Sequence, residues 1–167
     1  DFVALTQKLG FEPIILPFKP NGKAMHIKGF LARFSKTAKT QAEFLNRVAK
    51  LNVPLVGVDP AIVLSYRDEY KEALGDSRGD FHVLTAHEWL TNQLESNTLQ
   101  SAVKNIAKSD RTFEWHLFPH CTESTFMPNS PKEWQYIFAQ FGQTLNVEKV
   151  GCCGMAGVFG HEVQNQT

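Results

Sequence analysis

The stretch LNVEKVGCCGMAG, residues 145–157, indicates the fold more clearly than any other part of the sequence. An apolar run typical of a buried strand ends there in two adjacent cysteines, which lie between Gly151 and Gly154. A segment with helical character, residues 155–164, follows directly. A strand that passes through a tight glycine turn into a helix is the unit from which parallel sheets are built. We therefore predict an α/β fold.

On both sides of this stretch, predicted strands alternate with predicted helices along most of the chain, which favours parallel sheets. Asp59-Pro60 predicts a helix start, with Asp as the N-cap and Pro in the first turn. The predicted strands are 12–18, 54–58, 81–84, 115–119 and 145–150. The predicted helices are 2–9, 23–50 with a break near 35–39, 60–70, 86–94, 133–141 and 155–164.

The beginning and the end of the chain share a spacing that suggests an internal repeat. Gly10 and Gly142 precede the turns at 20–22 and 152–154 by the same interval, an offset of 132 positions. Each segment predicts a helix, a glycine, a strand, a turn and a second helix, although any two βα units look alike to this extent. We predict two pseudo-repeated βα halves with parallel sheets. Their ranges are 1–95 without cysteines, a linker at 96–110, and 111–167 with all three cysteines.

Composition narrows the possible functions. Seventeen basic and seventeen acidic residues cancel, so no charge footprint for nucleic acid is present. The apolar runs are too short for a membrane span, and no secretory signal is visible. Three cysteines, two of them adjacent, argue against a disulfide framework and for a reducing compartment. We therefore expect a cytoplasmic protein.

The three cysteines are the candidate metal ligands. Cys121, Cys152 and Cys153 each follow the end of a predicted strand, so a parallel sheet would bring them to one edge. Sites rich in thiolate select iron–sulfur clusters or zinc. A helix that starts directly after Cys153 would favour the thiolate form there. The simpler alternative is that these cysteines are small buried apolar residues.

Three further residues flank the cysteines and are candidates for supporting roles. His120 and His161 could ligate a metal, relay a proton or orient a ligand, since imidazole titrates near neutral pH. The backbone amide of Gly154 could donate a hydrogen bond to a thiolate and so tune the site. An enzyme in which one of the two histidines activates Cys121 or Cys153 as a nucleophile is a less favoured interpretation.

Several short stretches resemble a known family. Residues 118–123 (FPHCTE), 150–157 (VGCCGMAG) and 160–162 (GHE) look like the signature of CCG, or cysteine-cysteine-glycine, domains. That signature occurs in the cysteine-rich component of heterodisulfide reductases, in the iron–sulfur proteins of glycolate oxidases and in large fused FAD-linked oxidoreductases. Residues 17–23 (PFKPNGK) and 56–61 (VGVDPA) further resemble the last group, which includes bacterial D-2-hydroxyglutarate dehydrogenases.

The resemblance implies the C-terminal CCG domain of a FAD-linked, iron–sulfur 2-hydroxyacid dehydrogenase, with a role in cluster binding and electron transfer. FAD would lie in an N-terminal part outside this chain. The partners would be the flavin and ferredoxin-like domains of the same full-length protein, which pass electrons to an acceptor that the sequence does not identify. The metal ligands would be Cys121, Cys152 and Cys153.

The chain departs from the family pattern in two ways. The pattern ends in a Cys-x-x-Cys that does not occur before Thr167, and the first half has Pro20-Asn21-Gly22 in place of Cys-Cys-Gly. We therefore expect the second half to be truncated, its iron–sulfur site to be incomplete and the isolated stretch to be inactive. A zinc-binding module, or a metal-free one that only mediates assembly, remains the alternative.

Overall fold

A computed structural model of the chain describes residues 1–96, 99–106, 113–151 and 163–165. Helices and short strands alternate in it, and the strand pairing described below is parallel, which confirms the predicted α/β class. The chain divides into two compact units. Unit 1 comprises Asp1–Pro17 and Thr85–Val150, and unit 2 comprises Phe18–Leu84 and the described residues after Val150.

Each of the first three strands is followed by two helices in the described residues. The first part of the chain contains α1 (Phe2–Lys8), α2 (Lys23–Ile27), α3 (Leu31–Ala49), β1 (Leu55–Gly57), α4 (Pro60–Arg67), α5 (Glu69–Leu74), a 3₁₀ turn (Gly75–Arg78) and β2 (Val83–Thr85). The second part contains α6 (Ala86–Glu95), α7 (Gln100–Ile106), β3 (Glu114–Leu117), α8 (Cys121–Phe126), α9 (Ser130–Gln140), β4 (Thr144–Val147) and a 3₁₀ turn (Val163–Asn165).

In unit 1, β3 and β4 pair in parallel. The register aligns Glu114 with Thr144 at one end and Leu117 with Val147 at the other. Both strands therefore end at the same edge of the sheet, as the sequence predicted for its last two strands. The crossover between them passes through α8 and α9, since parallel neighbours require such a connection.

In unit 2, an aromatic core fixes the helices. Phe34 of α3 meets Tyr70 of α5 edge to face at 5.7 Å between ring centroids, and both are fully buried. Tyr66 lies edge to face with Tyr70 at 5.1 Å and with Phe81 at 6.2 Å. Burial raises the pKa of the Tyr70 phenol, and its hydroxyl donates to the carbonyl oxygen of Asn21 at 2.6 Å. This bond holds the turn at residues 20–22 against the core.

The strand predicted at 12–18 does not form. Residues 11–22 have no regular secondary structure, and the side chains of Ile14, Ile15 and Phe18 are 78%, 78% and 92% exposed. Prolines 13, 17 and 20 remove backbone donors, so this segment cannot complete a hydrogen-bonded ladder. The apolar run favours burial, but no partner strand covers it in the described residues.

Two of the predicted helices are also divided differently in the structure. The break in the helix predicted for 23–50 lies at Lys28–Phe30 rather than near 35–39, because Gly29 adopts a left-handed conformation with φ of 76°. The helix predicted for 60–70 is divided at Asp68 into α4 and α5.

The predicted domain boundaries differ from the compact units, and the repeat stays a prediction. The stretch predicted as a linker, 96–110, contains α7. The first copy of the proposed repeat lacks its strand, and its counterpart turn at 152–154 lies outside the described residues. In the described part of the chain, no helix is both long enough and apolar enough to cross a membrane.

Candidate functional site

The junction between β3 and α8 carries the candidate thiol that the structure describes. β3 ends at Leu117, three residues connect it to α8, and Cys121 is the first residue of that helix. The thiol of Cys121 is exposed and forms no disulfide. The backbone amide of Glu148 donates to the carbonyl oxygen of Leu117 at 2.9 Å, which extends the strand pairing to this edge. Cys121 therefore follows the C-terminal end of a parallel strand, as predicted.

The other candidate ligands, Cys152 and Cys153, lie outside the described residues, together with Gly154 and His161. Their convergence with Cys121 stays a prediction.

His120 precedes Cys121 at the N-cap position of α8. Its backbone has the extended conformation usual for that position, with φ of −63° and ψ of 132°. Its side chain is exposed and accepts no capping hydrogen bond from the helix. His120 therefore lies next to the thiol, as its predicted supporting role requires. Whether it ligates a metal, relays a proton or orients a ligand stays a prediction.

A buried carboxylate on the same helix was missed by the sequence analysis. Glu123 of α8 is only 7% exposed. It accepts a short hydrogen bond from the hydroxyl of Ser130 and another from Trp134 Nε1 at 3.2 Å. His87 Nδ1 lies 3.3 Å from the same carboxylate oxygen. Three side chains from α6 and α9 thus surround one carboxylate of α8.

His87 extends this cluster into the interior of unit 1. It is 1% exposed, and its Nε2 lies 3.2 Å from Thr85 Oγ1 and 3.3 Å from Glu133 Oε2. The imidazole ring also packs against Trp134, with 5.6 Å between ring centroids. No motif in the sequence signals this arrangement, because the residues that supply it come from four elements and are up to 49 positions apart. We call Thr85, His87, Glu123, Ser130, Glu133 and Trp134 the buried polar cluster.

Among the described residues, Cys121 is the one thiol that could ligate a metal or an iron–sulfur cluster. Cys121 supplies an accessible sulfur, which is the donor type that iron–sulfur clusters use. No set of three or more His, Cys, Asp or Glu residues in the described ranges could hold a metal ion. A complete site therefore needs ligands beyond those ranges, and Cys152 and Cys153 are the candidates within this chain.

The proteins that the chain matches are bacterial dehydrogenases, which are oxidoreductases. The chain is 82% identical over 166 residues to D-2-hydroxyglutarate dehydrogenase of Haemophilus influenzae. It is 58% identical over 165 residues to the D-2-hydroxyglutarate dehydrogenase of Escherichia coli, and 39% identical over 165 residues to that of Pseudomonas putida.

These matches cover 99% of this chain but only 15–16% of each relative. The chain therefore spans about one sixth of the length of the curated relatives. No protein-family model matches the chain, so the CCG assignment stays a prediction. No solved structure matches it either.

Proposed function

We propose that this chain is part of a D-2-hydroxyglutarate dehydrogenase and that it contributes to an iron–sulfur site for electron transfer within that enzyme. The observation that carries the proposal is the identity of 82% over 99% of the chain to the Haemophilus influenzae enzyme. Substitutions at fewer than one position in five leave little room for a different fold or role in this stretch. We further propose that the enzyme is cytoplasmic, because the odd cysteine count suits a reducing compartment.

The geometry at the end of β3 supports the metal-binding part of this proposal. Cys121 presents an exposed sulfur directly after a strand that is paired in parallel with β4. Leu117 and Val147 are register partners, and in the sequence Cys121 and Gly151 each follow their strand end by four positions. A cluster bound at this point would supply one-electron transfer. Its ligands in this chain would be Cys121, Cys152 and Cys153, with His120, Gly154 and His161 beside them.

The remaining parts of the proposed enzyme lie outside this chain. FAD would take the electrons from the hydroxyacid in a flavin domain, and a ferredoxin-like domain would relay them. Both domains would belong to the same polypeptide, which is consistent with relatives about six times as long as this chain.

The test uses the full-length enzyme purified without air, with Cys121→Ser compared with Ser124→Ala, an exposed neighbour on the same helix. We expect the parent enzyme to oxidise D-2-hydroxyglutarate and to contain iron and acid-labile sulfide. Cys121→Ser should lower the iron content and reduce the turnover rate at least about 10-fold, whereas Ser124→Ala should leave both unchanged.

Two results would contradict the proposal. A parent enzyme that does not oxidise D-2-hydroxyglutarate would refute the assigned activity. Iron content and electron paramagnetic resonance (EPR) spectra that do not change in Cys121→Ser, or stoichiometric zinc in place of iron, would refute the cluster role of this chain and favour a structural module.

A further inference from the structure

Helix α8 is short and has one inward-facing anchor. It runs for six residues, Cys121–Phe126, and Glu123 is its only buried side chain. Phe126, the large apolar residue of the helix, is 63% exposed and so contributes little burial. Helices this short are not stable by themselves, since the free-energy cost of nucleation exceeds the stabilisation from one or two turns. Among the side chains of α8, Glu123 therefore supplies the buried contacts that hold the helix in place.

Those contacts tie α8 to two other helices of unit 1. Ser130 and Trp134 of α9 donate to the Glu123 carboxylate, and His87 of α6 lies 3.3 Å from it. All of these groups are buried or half-buried, and Ser130 is only 2% exposed. Hydrogen bonds to a charged group in such surroundings are stronger than those between neutral groups, and an unpaired buried donor is costly.

The helical geometry links this anchor to the thiol. Residues two apart on an α-helix are separated by about 200° around its axis and do not face each other. When Glu123 points inward, Cys121 is therefore turned outward, and its thiol is exposed as observed. The local alternative, an N-cap hydrogen bond from the side chain of His120, is not made. The inward carboxylate and the outward thiol are two consequences of one helix orientation.

We propose that Glu123 is the positioning residue for Cys121: its carboxylate, held by Ser130, Trp134 and His87, sets the orientation of α8 and so the direction in which the Cys121 sulfur is presented. This proposal rests on the proposed function, in which Cys121 is a metal ligand. Glu123 itself does not bind the metal. Its role is to keep the sulfur in one place, which a cluster with fixed metal–sulfur distances requires.

The experiment compares three variants of the full-length enzyme. Glu123→Ala removes the carboxylate, which leaves Ser130 and Trp134 without an acceptor and His87 without its neighbouring carboxylate. Glu123→Gln keeps the side-chain volume and one oxygen that can accept from Ser130 and Trp134, so it serves as the conservative variant. Gln135→Ala is the matched control, because Gln135 also donates a hydrogen bond within unit 1, to the carbonyl oxygen of Leu145 at 3.0 Å, but this bond joins α9 to β4 and not to α8.

The first readout needs no metal. In the metal-depleted enzyme, hydrogen exchange is followed at the α8 amides, including Ser124, which donates to the His120 carbonyl oxygen, and Met127, which donates to that of Glu123. We expect Glu123→Ala to raise exchange there about 10-fold or more, Glu123→Gln to raise it less, and Gln135→Ala to leave it unchanged. Exchange that is the same in Glu123→Ala and in the parent would overturn the proposal.

The second readout is the EPR spectrum together with the iron content of the reconstituted enzyme. We expect Glu123→Ala to broaden or shift the spectrum and to lower the iron content, and Glu123→Gln to restore most of both. A purely structural role would lower the amount of folded enzyme without changing the spectrum of the remainder, and that result would also overturn the proposal.

The two proposals fail in different ways. If Cys121→Ser leaves the cluster unchanged, the proposed function fails at this residue. If Cys121→Ser removes the cluster and Glu123→Ala leaves the spectrum and the iron content as in the parent, only the positioning role fails.

Discussion

Two strand-to-helix junctions of the chain are built in different ways. At the end of β1, Asp59 accepts a hydrogen bond from the backbone amide of Ile62 at 3.1 Å, and Pro60 occupies the first turn of α4. At the end of β3, His120 occupies the same N-cap position of α8 but makes no capping bond. The first helix start is thus determined by residues within three positions of one another, whereas the second is not.

The second junction depends on distant residues instead. Glu123 holds α8 through Ser130, Trp134 and His87, the last of which is 36 positions away in the sequence. A helix that is fastened by a buried side chain does not need the residues at its start for stability. The β3–α8 junction therefore leaves positions 120 and 121 available for chemistry, and these are the residues that the proposed function uses.

The largest effect is expected from breaking the anchor of the second junction. His87→Ala should lower the stability of unit 1 by about 3 kcal/mol, because it removes a fully buried ring that packs against Trp134 and so opens a cavity. Urea unfolding of the 167-residue chain, followed by tryptophan fluorescence, measures this directly, since all three tryptophans belong to unit 1.

His116→Ala is the matched control for this prediction. His116 also lies close to a glutamate, Glu148, at 2.6 Å, but its side chain is 49% exposed. An exposed pair contributes little, so the change should stay within about 0.5 kcal/mol. Equal effects of the two histidine substitutions would show that the buried polar cluster does not stabilise unit 1.

A smaller effect is expected at the first junction. Asp59→Ala removes the side-chain cap of α4 and should cost about 1 kcal/mol. Unit 2 contains no tryptophan, so hydrogen exchange across Pro60–Arg67 is the suitable measurement. Asp59→Asn retains an acceptor oxygen and should behave like the parent. Exchange that is as slow in Asp59→Ala as in the parent would mean that β1 and the core, not the cap, determine where α4 begins.

The smallest effect is expected from adding a side-chain N-cap to the second junction. His120→Asp places a capping carboxylate at a backbone position that already has the required extended conformation. It should stabilise α8 by about 0.5 kcal/mol and slow exchange at the amide of Ser124, whereas His120→Ala should not. If the double variant His120→Asp/Glu123→Ala exchanges as slowly at the α8 amides as the parent, then a local cap can replace the contacts of Glu123. Failure of His120→Asp to slow exchange would show that the geometry of the junction excludes a cap.

Much of the fold was predictable from the sequence, and the errors have a common origin. The α/β class, the parallel pairing of the last two strands and the start of α4 at Asp59-Pro60 were all confirmed. The strand predicted at 12–18 was wrong, because an apolar run shows only that burial would be favourable. The run does not show whether a partner strand is present to cover it.

The candidate site was also only partly predictable from the sequence. Sequence analysis predicted that Cys121 follows a strand end, since that placement depends only on local periodicity, and the structure confirms it. It did not find Glu123, because a glutamate on a short helix is normally solvated and nothing near it in the sequence indicates otherwise.

The features that could be predicted from the sequence are therefore local: the helix and strand periods, the cap at Asp59 and the thiol that follows β3. These features depend on backbone preferences and on hydrogen bonds that span a few residues. The burial of the Glu123 carboxylate and the orientation of α8 depend on contacts that form only in the folded unit. Burying a charged group is favourable only where several donors meet it at once, and those donors come from helices that folding brings together.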